Sequence, residues 1–112
     1  MLDDAAVAAL RDTVGGDAEF LSELVSEFLA DLPVQVAGLR SAVAAGDAGE
    51  ARRIAHTLKS HGATFGVSRL ETSCRELESR AHDGRLDDLD RILAEVDAAA
   101  ADAAPALQSL MT

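Results

Sequence analysis

The chain has 112 residues, enough for one domain built on one hydrophobic core. Its 20 acidic and 10 basic residues give a formal charge of −10, and it has no Trp or Tyr, so it repels phosphate backbones and offers no base-stacking platform. Nucleic acid is therefore not an expected partner.

Cys74 is the single cysteine, which excludes an internal disulfide and argues against a thiolate zinc site. No stretch approaches the ~20 apolar residues of a membrane span. The start Met1-Leu2-Asp3-Asp4 lacks the basic and apolar segments of a signal peptide. Elimination leaves a cytoplasmic address, and the starting Met points to a free-standing protein of one domain over residues 1–112. Ala and Leu dominate, Pro occurs only twice, and apolar residues recur at spacings of three and four, so the chain reads as all-α.

A first helix is expected over about residues 3–13, with Leu2, Ala6, Ala9 and Leu10 inward, ended by Val14-Gly15-Gly16. Asp17 suits the N-cap of a second helix running to about Ala45, with Phe20/Leu21, Leu24/Val25, Phe28/Leu29, Leu32, Val36, Leu39 and Val43 as its apolar positions. Pro33 cannot donate to the Leu29 carbonyl, so a kink or short break is expected there. Gly46 ends this helix, and Asp47-x-x-Glu50 starts a third, from about Ala48 to Phe65, with Gly66 as its left-handed cap. Ser68-x-x-Glu71 reads as a capping box for a fourth helix, which buries Leu70, Cys74, Leu77 and Ala81 and stops at Asp83-Gly84. A last helix has Leu86, Leu89, Leu93, Val96, Ala100, Leu107 and Leu110 as its inner face, loosened near Pro105. The acidic pairs Asp3-Asp4 and Asp87-Asp88 fall at expected helix starts, where carboxylates suit the helix dipole. Short connections make neighbours antiparallel. The expected architecture is an antiparallel up-down four-helix bundle with a short additional N-terminal helix, and a monomer, since no apolar stripe is left over.

The third helix carries the chemistry. At about 100° per residue, Ala51, Ile54, Ala55, Leu58, Gly62 and Phe65 form the core stripe. His56 falls roughly 140° from its centre and should face solvent. Arg52, Lys59 and Ala63 share the outer stripe with it, and Ser60 flanks it. An imidazole with an ordinary pKa of ~6.5 is a competent nucleophile near neutral pH. Arg52 and Lys59 could stabilise an arriving phosphoryl group, while Gly62 and Ala63 leave the surface low for a partner's approach. No glycine-rich phosphate loop or magnesium site accompanies them. On the wheel alone, a merely solvated histidine remains the plainer interpretation.

The segment Ala55-His56-Thr57-Leu58-Lys59-Ser60-His61-Gly62-Ala63-Thr64-Phe65-Gly66 resembles the histidine phosphotransfer (HPt) family, whose pattern is Ala-His-x-Leu-Lys-Gly-small-small followed by an apolar residue and Gly. Leu70, Cys74, Leu77 and Glu78 resemble a downstream family segment, and Phe28-Leu29-x-x-Leu-Pro with Gly46-Asp47 an upstream one. Ser60 stands where the family often has Gly, and His61 where it has Ser or Ala.

The resemblance implies a phosphoryl carrier without kinase activity of its own. His56 would take the group through Nε2, with Lys59 near the developing charge and Ser60 offering a hydrogen bond to the imidazole or the phosphoryl oxygens. It implies as partners the receiver domains of response regulators or hybrid histidine kinases, docked on Arg52, Arg53, Lys59 and Ala63. Mg²⁺ is expected in the receiver, with no cofactor bound by this chain. His61 lies beside the core stripe and reads as a packing residue, and Cys74 as a buried thiol. Two other possibilities stand beside this one. The first is a non-phosphorylated helical-bundle interaction module. The second is a metal site using His56, His61 and His82, disfavoured because Glu78 and His82 are spaced i, i+4 and no inward Glu-x-x-His pair occurs. An HPt-like domain cut from a sensor kinase is also compatible with this length.

Overall fold

The computed structural model describes residues 2–111. They form five helices: α1 (Asp4–Thr13), α2 (Ala18–Ala44), α3 (Ala48–Phe65), α4 (Ser68–His82) and α5 (Asp90–Met111). Helix α2 packs on α3, α3 on α4, α4 on α5, and α5 back on α2, which closes a four-helix bundle; α1 lies against α3. The bundle is elongated, with extents of 43 × 20 × 19 Å. No helix among the described residues is long and apolar enough to cross a membrane.

Two acidic caps act as the sequence suggests. Asp17 accepts from the backbone N–H groups of Glu19 and Phe20, and Asp47 accepts from that of Glu50. Each satisfies donors that have no partner within the helix. Helix α4 starts differently. Val67 occupies the N-cap position without a side-chain cap bond, and Ser68 is already helical, so the expected capping box does not form. Glu71 instead accepts from Arg75 one turn on. The preceding turn explains the shift. Gly66 takes a left-handed conformation (φ 75°), and the Val67 N–H returns to the Gly62 carbonyl at 2.8 Å. This glycine-terminated motif leads straight into α4 and leaves no residue free to serve as a separate cap.

Helix α2 runs unbroken through Pro33, and α5 through Pro105. Burial of Phe28 and Leu32 before Pro33, and of Leu39 and Ala42 after it, holds both halves of α2 on one core. That packing outweighs one lost backbone bond. In α1, Val7 is buried beside Leu10, while Ala9 faces solvent. Phe20 is 46% exposed, and Leu21 takes the inward position. Helix α5 begins only at Asp90, so Leu86 and the buried Leu89 belong to the preceding loop with Asp87 and Asp88. Ile92, Ala99 and Ala103 complete its buried face.

The tightest place in the bundle is Gly62. It is buried, so it does not lower the outer surface. A Cβ built on it would lie 2.8 Å from the Glu71 backbone nitrogen and 3.1 Å from the Val67 carbonyl oxygen. Glycine at this position lets α3 and the start of α4 meet backbone to backbone. Helix α1 seals the same turn through Asp3, whose N–H donates to the Gly66 carbonyl at 2.7 Å.

Gly62→Ala is expected to destabilise the fold by about 1–3 kcal/mol in urea unfolding, although alanine is the better helix former. Gly49→Ala, in the same helix with its nearest neighbour at 3.8 Å, is expected to be neutral or mildly stabilising. Equal effects at the two positions would contradict the close-packing account.

Candidate functional site

All six residues of the α3 core stripe are buried: Ala51, Ile54, Ala55, Leu58, Gly62 and Phe65. That fixes the rotation of the helix and turns His56 outward, with 62% of its side chain exposed. Arg52, Arg53, Ser60 and Ala63 are exposed around it, and Lys59 is half-buried.

The outer stripe is completed from α4. Glu78 follows the buried Leu77 and leans across the seam between the helices. One of its oxygens, Oε2, lies 2.6 Å from His56 Nδ1, and the other, Oε1, accepts from Lys59 Nζ at 2.5 Å. One carboxylate thus ties the imidazole and the ammonium together. Its side chain is only 18% exposed. Burial pushes its pKa upward, but the hydrogen bonds and charges of Lys59 and His56 outweigh that and hold it below the ordinary carboxylate value.

The chemical consequence concerns the imidazole. An ionised carboxylate only accepts hydrogen bonds. Nδ1 must therefore carry the proton that faces Glu78, which in the neutral ring leaves the lone pair on Nε2. The nitrogen farther from the helix is the nucleophilic one.

The other predicted residues separate into groups. Ser60 Oγ donates to the His56 carbonyl at 3.1 Å, so in this conformation its hydroxyl serves the helix backbone rather than the ring. Arg53 pairs with Glu50 on the side of α3 toward α2, and Arg52 lies toward α4, in a shallow depression with Arg75, Glu78, Ser79 and His82. His61 packs edge-on against Phe28, ring centroids 5.8 Å apart, which makes it a boundary residue of the core. Cys74 is fully buried, and burial, with a further push from the Glu78 charge, raises its thiol pKa to about 12. Such a thiol is not a nucleophile at neutral pH. Among the described residues, no three His, Cys, Asp or Glu side chains converge as metal ligands.

Glu78 is the residue that the helix wheel missed. A wheel describes one helix, whereas the contact of Glu78 with His56 and Lys59 depends on the register between two. Its place in the string after Leu77 was the one available signal.

The family model for the Hpt domain matches residues 23–104. Histidine-containing phosphotransfer protein B (HptB) from Pseudomonas aeruginosa PAO1 superposes with a TM-score of 0.85 at 25% identity, over 98% of this chain and 93% of that one. The HPT domain from the Hpt sensor hybrid histidine kinase of Shewanella superposes with a TM-score of 0.75 at 18% identity, over 94% of this chain and 91% of that one, a likeness of fold. No curated protein matches the chain in sequence.

The lowered pKa of Glu78 has a defined sign. Its stabilising contribution is fully present above the unfolded carboxylate value of about 4.3 and is lost as pH falls through the lower folded value. Glu78→Gln is expected to be less stable than wild type by about 1 kcal/mol at neutral pH, with the difference vanishing in acid. Urea midpoints across the pH range measure this. A difference that stays constant with pH would contradict it.

Proposed function

Since this chain belongs to the Hpt domain family, a family of phosphocarrier modules that interact with receiver domains and histidine kinases in phosphorelays, we propose that it relays a phosphoryl group between receiver-domain aspartates through His56. The contact of Glu78 with His56 Nδ1 carries the proposal, because it prepares Nε2 as the nucleophile on an exposed stretch of a rigid helix. The Nε2 lone pair attacks the phosphorus of an aspartyl phosphate. The aspartate oxygen–phosphorus bond breaks, and the carboxylate leaves with the electron pair. The phosphorylated ring keeps its proton on Nδ1 and donates it to the Glu78 carboxylate, whose negative charge offsets the positive charge gathering on the imidazole. Lys59, one turn on and tied to the same carboxylate, stands near the incoming negative charge.

Return of the group to a second aspartate is the reverse of this step. The Mg²⁺ that phosphoryl transfer uses belongs to the receiver, where it would neutralise the phosphoryl oxygens. This chain contributes the nucleophile and its orientation and has no kinase activity of its own. It works as a cytoplasmic monomer, in keeping with a surface on which Phe20 and Val34 are the large exposed hydrophobics among the described residues.

Incubation with a phosphorylated receiver domain and Mg²⁺ is expected to place an acid-labile, base-stable label on the wild-type chain. His56→Gln is expected to abolish it, His61→Gln and His82→Gln to retain it, and Lys59→Ala to slow transfer by about tenfold or more. Equal labelling of His56→Gln, or no labelling of wild type by any receiver, would contradict the proposal.

A further inference from the structure

An apolar groove of about 430 Å³ runs between α2 and α5. Leu29, Leu32 and Val36 face Ala100, Ala101 and Ala104 across it, and the Arg40–Asp97 ion pair closes one end. In the order in which the helices pack, this seam lies across the bundle from the α3–α4 seam that holds His56 and Glu78. Phosphotransfer makes no use of it.

Both prolines of the chain bear on this groove. A proline has no N–H, so the carbonyl four residues earlier loses its helical donor. Pro33 deprives Leu29 in this way, and Pro105 deprives Ala101. Leu29 and Ala101 stand on opposite walls. Each wall therefore carries a backbone acceptor without its helical donor, in an apolar setting where a hydrogen bond is stronger than in water. The charge around them has one sign. Helices α2 and α5 each hold four acidic residues and one basic one, a formal −3. The basic residue of α2, Arg40, is paired with Asp97, and that of α5, Arg91, with Glu76 and Glu95, so neither guanidinium is left over.

We propose that the α2–α5 groove docks a basic amphipathic helix of a partner protein. The apolar face of such a helix covers Leu29, Val36 and the three alanines, whose small side chains let its axis come close. Its Lys or Arg side chains carry only donors, and they reach the Leu29 and Ala101 carbonyls and the acidic flanks. From Leu29 to Arg40 the groove follows α2 for about 16 Å, long enough to seat roughly three turns of a partner helix. An acidic helix of the same shape meets like charge and leaves both carbonyls without donors. Because the groove and His56 lie on opposite sides of the bundle, a helix docked here leaves the imidazole exposed, and the docking does not depend on phosphotransfer.

The probe is a synthetic helix of about 18 residues, made of Leu and Lys with one apolar face, set against the same helix with Glu in place of Lys. Each is titrated into the full chain and followed by fluorescence anisotropy and by the alanine methyl signals in NMR. The Leu/Lys helix is expected to bind and to move the methyls of Ala100, Ala101 and Ala104, and the Leu/Glu helix to do neither. Ala101→Arg puts bulk and like charge into the groove at an exposed position and is expected to weaken binding by about tenfold or more. Thr72→Arg makes the same change of net charge on the exposed side of α4 and is expected to bind like wild type. Pro105→Ala returns a donor to the Ala101 carbonyl without altering a residue that lines the groove, and is expected to weaken binding by about threefold while leaving the fold at least as stable. Equal binding of the two helices, equal losses in Ala101→Arg and Thr72→Arg, an unchanged Pro105→Ala, or methyl shifts confined to α3 and α4 would overturn the proposal. A dimer of this chain in sedimentation that covers the same methyls would overturn it too, by giving the groove to a second copy. Transfer of label to His56 is measured separately and stands or falls on its own.

Discussion

The close crossing of α3 and α4 at Gly62 is the constraint on which the site depends. A side chain there would press on the backbone of Val67 and Glu71 and drive the helices apart. With glycine in place, the Gly66 turn folds α4 back against α3, and about two turns beyond Glu71 the register delivers Glu78 to His56 and Lys59. A wider seam would leave the imidazole free to rotate and either nitrogen free to carry the proton. Backbone packing at one end of the helix pair is thereby linked to the choice of nucleophilic atom in its middle.

The site pairs exposure with restraint. His56 stands in solvent where a partner can reach it, yet its ring is oriented by a carboxylate that is mostly covered. The partly sheltered setting strengthens the hydrogen bonds, and the bonds keep the carboxylate ionised. Lys59 is held by the same group rather than swinging freely. The buried thiol of Cys74 lies under this arrangement as inert packing.

Features confined to one helix were legible in the sequence. The limits of α3 and its six buried residues follow from glycine and aspartate punctuation and from apolar periodicity, and these alone turn His56 outward and His61 toward Phe28. Features that join elements were less legible. Ser68 has the residues of a capping box, but the Gly66 turn engages the backbone first. Pro33 has the chemistry of a helix breaker, but the core on either side of it holds the helix together. Glu78 is marked only by its place after Leu77, because its partners lie 19 and 22 residues earlier. The resemblance of the His56 segment to the HPt pattern agreed with the family match over residues 23–104.

The central claim concerns one atom: Nε2 of His56 receives the phosphoryl group while Glu78 holds Nδ1–H. Long-range ¹H–¹⁵N and ³¹P NMR of the phosphorylated chain, with its histidines labelled in the ring, reads that atom directly. The account predicts phosphorus bonded to Nε2 of His56, a protonated Nδ1, and unmodified rings at His61 and His82. Phosphorus on Nδ1, or on either of the other two histidines, would contradict it.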